Sequence, residues 1–203
     1  MRRPTSIAIN LRYGRAVTPR SRMHGLTIIE LTVVLIVVGV IATLVVAPAM
    51  QGMVARHRVQ AVQSELIGDL QLARSEQAQR NGTSTEVSVT FGSNASITCY
   101  TIHTGTTPCD CTLGPGAACG GVPAAQELKT LQIARADNVT LAASSPSGNA
   151  IVFSPPQGLV TPANLVINVQ SPIRGQIRTA ISGLGVPSAC SPDGSVPGVP
   201  TCP

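Results

Sequence analysis

The feature that most constrains this chain is an almost wholly apolar stretch, residues 26–47, in which Glu30 is the one charged residue. At a helical rise of about 1.5 Å per residue, a stretch of this length crosses most of a hydrocarbon core of about 30 Å. Six arginines and no acidic residue precede it, and no basic residue follows it directly. By the positive-inside rule, we expect the N-terminus in the cytoplasm and the chain beyond about residue 50 outside the inner membrane.

Two interpretations of this stretch can be weighed from the residues alone. An ordinary secretory signal peptide would be cut at the small residues of segment 47–49. Proline at position 48 fits such a site poorly, and Glu30 would lie in hydrocarbon at a cost of about 2.5–3.5 kcal/mol. Cleavage between Gly25 and Leu26 would instead create an α-ammonium group close in sequence to Glu30. That group could neutralise the carboxylate of a neighbouring subunit, so the second interpretation gives the carboxylate a partner.

Segment 25–31, GLTIIEL, resembles the class III signal of type IV pilins and pseudopilins. In that family a prepilin peptidase cuts after the glycine, the new N-terminal residue is methylated, and the fifth mature residue is glutamate. The resemblance implies cleavage between Gly25 and Leu26, N-methylation of Leu26, and an assembly role for Glu30. It also implies a helix bend near Pro48. The leader, residues 1–25, is longer than is usual in this family.

Beyond the apolar stretch, the sequence predicts an amphipathic continuation of the helix to about Gln79, ended by Asn81 and Gly82. Apolar residues recur there at steps of three and four, at Val59, Val62, Leu66, Leu70 and Ala73. After Gly82 the period changes from 3.6 to 2, which is typical of strands. Strands are predicted at 87–91, 97–102, 127–133, 138–142, 150–154, 164–170 and 173–181, the last with Ile173, Ile177 and Ile181 on one face.

These patterns predict an α+β fold, in which a long N-terminal helix packs on antiparallel β-sheets as in type IV pilins. The helix has a membrane half and an amphipathic half. We expect a prepilin leader at 1–25, a transmembrane or filament-core helix at 26–48, and its amphipathic continuation at 49–82. A periplasmic β domain at 83–182, with a Cys-rich loop at 99–121, and a disulfide-bridged C-terminal tail at 183–203 complete the organisation.

Segment 73–82, ARSEQAQRNG, and the tail that contains Cys190 and Cys202 carry a second resemblance, to the GspH/FimT group of minor pseudopilins and minor pilins. This resemblance implies a structural subunit of a type IV pilus or a type II secretion pseudopilus. The implied partners are prepilin peptidase, other pilin or pseudopilin subunits and the inner membrane. The plainer interpretation of the charges in 73–82 is a solvated helix face with weak ion pairs.

All six cysteines lie after the apolar stretch, and an even number outside the cytoplasm implies disulfides. Cys109 and Cys111 are too close in sequence to pair comfortably, so each is expected to bond to Cys99 or Cys119. Which of the two pairings occurs stays open. Cys190 and Cys202 are expected to bridge the Pro/Gly-rich tail, as the resemblance also implies.

We predict no catalytic residue, no cofactor and no metal site, and therefore no enzyme. The sequence contains no nucleophile elbow, no H-E-x-x-H motif and no phosphate-binding glycine loop. The sharper alternative is a zinc site made of His103, Cys109, Cys111 and Cys119. Its spacing matches no C-x₂-C framework, and the compartment is oxidising.

The alternative function is DNA capture. From residue 26 onward eight basic residues stand against nine acidic ones, so nucleic-acid binding must depend on a local patch. FimT-like minor pilins are associated with DNA capture in natural transformation through a basic G-R-x-R motif, which segment 174–178, RGQIR, resembles with Gln176 in place of the first arginine. On a strand, Arg174, Gln176 and Arg178 would share one face, and Arg174 could restore the missing charge. The implied partner is double-stranded DNA, bound through its phosphates.

Overall fold

The first helix within the described residues, α1 (Ile28–Ile41), is explained by the residues at its start. The computed structural model describes residues 27–80, 85–144, 149–155 and 159–203, and the chain divides into two compact units, Met1–Thr43 and Leu44–Pro203. Thr27 is the N-cap of α1, and its side chain accepts a hydrogen bond from the Glu30 backbone N–H. A π-helical segment, Ala42–Val46, comes next.

No helix within the described residues is both long enough and apolar enough to cross a membrane. The transmembrane helix at 26–48 stays a prediction.

The second α-helix, α2 (Ala47–Gln79), carries the apolar stripe that the sequence predicts. Val59, Leu66, Leu70 and Ala73 are buried in the core, while Val62 is half-buried at its edge. These positions recur at the helical period, so they form one face that must be covered by another element. The helix ends at Gln79, and the predicted ending at positions 81 and 82 lies outside the described residues.

Two antiparallel sheets cover that face. Sheet A has the strand order β3-β2-β1-β5-β6, and sheet B has the order β4-β7-β8-β9. The strands are β1 (Val87–Ser93), β2 (Ile97–Thr104), β3 (Glu127–Ala134), β4 (Thr140–Ser144), β5 (Ala150–Ser154), β6 (Leu159–Thr161), β7 (Leu165–Gln170), β8 (Gln176–Ile181) and β9 (Pro187–Cys190). The predicted α+β class, a helix packed on antiparallel sheets, is confirmed.

One predicted strand starts later than expected. β8 begins at Gln176 and not at 173, because the chain turns at 171–175: the Ser171 N–H donates to the Gly175 carbonyl at 2.9 Å, and Gly175 has φ +106°. The prediction that Ile173 shares the buried face of Ile177 and Ile181 is therefore wrong. Ile173 is 48% exposed, whereas the other two are 1% exposed.

A polar network joins α2 to sheet A through Asp69, which is largely buried. The Tyr100 hydroxyl donates to the Asp69 carboxylate at 2.7 Å, and the Lys129 ammonium lies 2.8 Å from the same carboxylate and 3.2 Å from Glu65. Burial and the Asp69 carboxylate raise the pKa of Tyr100, so its hydroxyl stays protonated and keeps donating. The hydrogen bond to Asp69 raises the pKa of Lys129. The network therefore fixes the helix to two neighbouring strands.

Replacing Tyr100→Phe should lower the free energy of unfolding by about 1.5–3 kcal/mol, because it removes a hydrogen bond to a charged group. The measurement is urea unfolding of the full chain in detergent micelles. Thr101→Val is the matched control: it removes a buried bond between neutral hydroxyls, Thr101 and Thr130, 2.8 Å apart, and should cost only about 0.5–1.5 kcal/mol. Equal losses in the two variants would contradict a special role for the Asp69 network.

Candidate assembly helix and basic turn

Glu30 lies in the first turn of α1, where the helix favours a negative charge. The exposed amide groups at a helix N-terminus carry a partial positive charge, so a carboxylate there is stabilised even without an ion pair. Among the described residues the ion pairs join Arg80 to Glu76 and Lys129 to Glu65 and Asp69, and none of them includes Glu30. Gly25 and Leu26, the predicted cleavage and methylation positions, lie outside the described residues.

The surface of α1 is apolar on all sides. None of its residues is buried, and its large side chains include Leu35 and Ile36, which are well over half exposed. A helix that is hydrophobic all round is normally covered by lipid or by other protein. This helix therefore offers a large apolar surface for packing, with one carboxylate in its first turn.

The β7–β8 turn, residues 171–175, holds the first arginine of the predicted DNA-binding motif. Arg174 is exposed in this turn and precedes β8, so strand alternation does not extend to it. A Cβ at Gly52 of α2 would lie 3.9 Å from the Arg174 Cδ, which places the stem of this side chain over the helix. Gln176 and Arg178 do alternate with buried Ile177, so these two residues share the outer face of β8.

Gly175 lets the turn approach both α2 and the C-terminal tail. A Cβ at this position would lie 3.5 Å from Arg56 Cγ and 3.6 Å from Val196, and its φ of +106° is one that other residues rarely adopt. Val196 is 1% exposed and belongs to the core. The turn is therefore clamped between helix and tail, which fixes the position of Arg174.

The outer face of sheet B surrounds Arg178 with small, mostly uncharged side chains. In the strand register Arg178 stands opposite Asn168 on β7 and Cys190 on β9. Within the four strands of this sheet Arg178 is the one charged residue. A phosphate that approaches this face would meet no carboxylate from these strands, but also little positive charge.

The disulfides resolve the pairing that the sequence leaves open. Cys99 is bonded to Cys111, and Cys109 is bonded to Cys119. The tail bridge joins Cys190 to Cys202, the pair that the resemblance implies.

The bridged tail packs back onto the domain. Ser191 N–H donates to the Pro200 carbonyl at 2.7 Å, and Cys202 N–H donates to the Ser191 carbonyl at 3.2 Å. The Gln60 side chain of α2 donates to the Pro197 carbonyl at 2.9 Å. The tail is thus closed on itself and also held to the helix.

His103 is fully buried beside the Cys109–Cys119 disulfide. Its Nε2 lies 2.8 Å from the Thr90 hydroxyl and its Nδ1 lies 3.2 Å from the Thr104 carbonyl. The ligand atoms of His103, Cys109 and Cys119 lie within 4.8 Å of one another. The two sulfurs are bonded to each other, and a disulfide offers no thiolate to a zinc ion. Cys111, the other proposed ligand, is bonded to Cys99.

A protein-family model described as type II transport protein GspH matches residues 63–185, well over half of the chain. The chain belongs to this family. No curated protein and no solved structure matches it. The family match runs from the middle of α2 through both sheets to the residues after β8, so it covers Arg174 and Arg178. Membership in the GspH family gives the protein a pseudopilin or minor pilin role, in type II secretion or in a pilus, and pilin-type subunits as partners.

Acidification from pH 7 to pH 5 should destabilise this GspH-family protein through His103. Burial lowers the pKa of His103 below its usual 6.5 in the folded state. The unfolded chain therefore binds more protons once the pH falls below about 6.5, so the free energy of unfolding drops as pH falls and is fully restored above about pH 7. Urea midpoints measured across this range would show the slope.

His103→Asn should be less stable at pH 7 but should show a flatter pH dependence between pH 7 and pH 5. The matched control makes the same change at an exposed position on α2, His57→Asn. A slope that survives in His103→Asn would show that another group carries it.

Proposed function

We propose that this protein is a minor pseudopilin that prepilin peptidase cleaves between Gly25 and Leu26, and that assembles from the inner membrane through segment 26–48. The observation that carries the proposal is α1, an exposed and almost wholly apolar helix with one carboxylate in its first turn, on a chain of the GspH family. In this proposal the N-terminus is cytoplasmic and the C-terminal domain is periplasmic. Segment 26–48 stores the subunit in the bilayer and later packs in the filament core.

Burial of α1 in lipid or against other subunits is energetically favourable. Burying a Val, Leu or Ile side chain that is otherwise exposed gains about 1.5–3 kcal/mol, and α1 presents many such side chains. Glu30 opposes this burial unless it finds a cation. The α-ammonium of Leu26 in a neighbouring subunit, created by the cleavage, would supply that cation and set the register of assembly.

The disulfides support a periplasmic location for the domain. All six cysteines are paired, and such bonds persist in oxidising compartments but not in the cytosol. We also propose that the protein works by packing and not by catalysis. The buried His103 supports this, because both of its ring nitrogens face neighbouring oxygens and its place is internal.

The test uses the full chain expressed with its own secretion or pilus machinery. Sheared filaments should contain a mature protein that starts at N-methylated Leu26. Glu30→Ala should reduce incorporation by about tenfold or more, since a lost charge pair of about 1.4 kcal/mol already corresponds to tenfold. Glu76→Ala, which removes a partly exposed carboxylate that pairs with Arg80 on α2, is the matched control and should leave incorporation unchanged.

One result would overturn the proposal, and a second would remove the assembly role of Glu30 from it. A mature N-terminus at residue 49, 50 or 51 would show that an ordinary signal peptidase cuts the chain. Incorporation of Glu30→Ala at the level of the unmodified protein would remove Glu30 from assembly while leaving the cleavage site standing.

A second candidate function is the capture of double-stranded DNA through Arg174, Gln176 and Arg178. It is favoured by the exposed Arg178 on a sheet face whose strands carry no acidic residue. Arginine donates bidentate hydrogen bonds to phosphate, and Gln176 can add a neutral donor. Two arginines release few counterions, so affinity per subunit would be low, and many subunits along a filament would be needed for firm binding.

DNA binding can be tested by titrating the full chain in micelles with duplex DNA at several salt concentrations. If the candidate is right, the logarithm of the affinity should fall with the logarithm of salt, and each arginine removed should lower that slope by about 0.9. The variants are Arg174→Ala, Arg178→Ala and the double change, with exposed Arg135→Ala as control. A folded chain that does not bind at low salt would eliminate this candidate and leave assembly alone.

A further inference from the structure

The beginning of α2 and the β7–β8 turn form a surface that mixes exposed apolar side chains with cations. Met50, Met53 and Val54 of α2 are 53%, 57% and 44% exposed, and Ile173 of the turn is 48% exposed. A groove of about 430 Å³ lies between α2 and this turn and is lined by Met50, Val54 and Ile173 among others. We call the surface made of Met50, Met53, Val54, Arg58, Ile173 and Arg174 the apolar-basic face.

The charge of this face is positive. The chain contains no acidic residue between Glu30 and Glu65, whereas Arg56 and Arg58 lie in this part of α2. Arg174 adds a charge from the turn, with its stem over Gly52. Asp137 at the rim of the groove contributes one carboxylate, and its backbone carbonyl accepts a hydrogen bond from Arg58 at 2.8 Å. Cations therefore predominate over the single carboxylate of the groove.

The place of this face along the helix points to its partner. α2 begins at Ala47, the last residue of the apolar stretch. At about 1.5 Å per residue, Met50 lies about 5 Å and Arg58 about 17 Å beyond Ala47 along the helix axis. Because the headgroup region occupies about 5–8 Å on each side of the hydrocarbon core, Met50 would fall within it, whereas Arg58 would lie about 10 Å beyond it on an upright helix. This step depends on the proposed function, since it takes segment 26–48 to be in the membrane.

We propose that the apolar-basic face docks onto the bilayer that holds the chain's own apolar segment. The helix leans toward the bilayer on this side, as tilted membrane helices do, so that Met50, Val54 and Ile173 enter the headgroup region and Arg58 and Arg174 reach the phosphates of anionic lipids. Lipid fits better than other partners, because a membrane surface offers apolar and anionic contacts together. Duplex DNA would leave the methionines unused, and a second copy would bring cations against cations. The stored subunit would thus be held against the membrane until assembly lifts it away.

The chain contains no tryptophan, so Ile173→Trp gives a single fluorescent reporter in the face. The full chain is reconstituted in phosphatidylcholine vesicles with and without phosphatidylglycerol, and quenching by lipids brominated in the upper acyl chain is measured. The matched control is Leu184→Trp, which is also exposed but lies in the turn after β8, about 20 Å from Ile173 along that six-residue strand. Both changes replace exposed side chains, so the fold should tolerate them.

If the face docks, lipid bromines should quench the tryptophan at 173 several-fold more than the tryptophan at 184 in anionic vesicles. Arg58→Gln combined with Arg174→Gln, or high salt, should remove most of that difference, because exposed charges are screened within about 10 Å at 0.1 M salt. Equal quenching at the two positions overturns docking, as does equal quenching with and without anionic lipid. Fluorescence at 173 that responds to duplex DNA or to protein concentration, and not to brominated lipid, overturns it in favour of those partners.

Flotation of the vesicles after an alkaline wash separates this inference from the proposed function. A chain that floats with the vesicles but shows no selective quenching supports the membrane segment and contradicts the docking. A chain that the wash removes from the vesicles contradicts both the proposed membrane segment and the docking.

Discussion

The burial of one stripe of α2 against both sheets is the contact on which the rest of the domain depends. Val59, Leu66, Leu70 and Ala73 share a single core with residues from both sheets. Polar residues of the same helix face make directed contacts within it. Gln63 bonds to Thr179 of β8, Asp69 to Tyr100 of β2, and Gln77 to the backbone N–H of Val87 in β1. Burial of apolar surface has no preferred direction, whereas these bonds fix the rotation and height of the helix against each sheet.

Because the domain depends on this packed core, the sequence predicts best the elements that contribute a periodic apolar face to it. The stripe of α2 and the strands around Val89, Ile151 and Ile167 have their own periodicity, and the structure contains them with shifts of a residue or two at the ends. The sequence does not predict β6 and β9, because strands of three and four residues at sheet edges carry too little pattern of their own. They form because a neighbouring strand is already in place to pair with them.

The turn before β8 shows a different limit of sequence analysis. Alternation alone extends the strand back to Ile173, but Ser171 and Pro172 signal a turn, and Gly175 adopts a φ that a strand does not use. If these turn signals take precedence over the alternation, the strand begins after Gly175, and Arg174 lies in a different element from Arg178. No signal of this kind in the sequence distinguishes the two possible disulfide pairings. Gly92 stands opposite Cys99 in the register, and any Cβ there would come within 2.8 Å of the Cys111 sulfur. That space exists only once β1 and β2 have paired.

The separation of the two arginines has a consequence for how this domain meets its surroundings. Arg178 stands among small polar side chains on the outer face of sheet B, where shape and hydrogen bonding would decide contacts with neighbours. Arg174 lies instead against the start of α2, near the exposed methionines, where apolar contact and charge act together. The clamp at Gly175, between Arg56 and Val196, holds Arg174 in that place. The packing that buries the α2 stripe thus also assigns the two cations of one short motif to different surfaces, which can bind different partners.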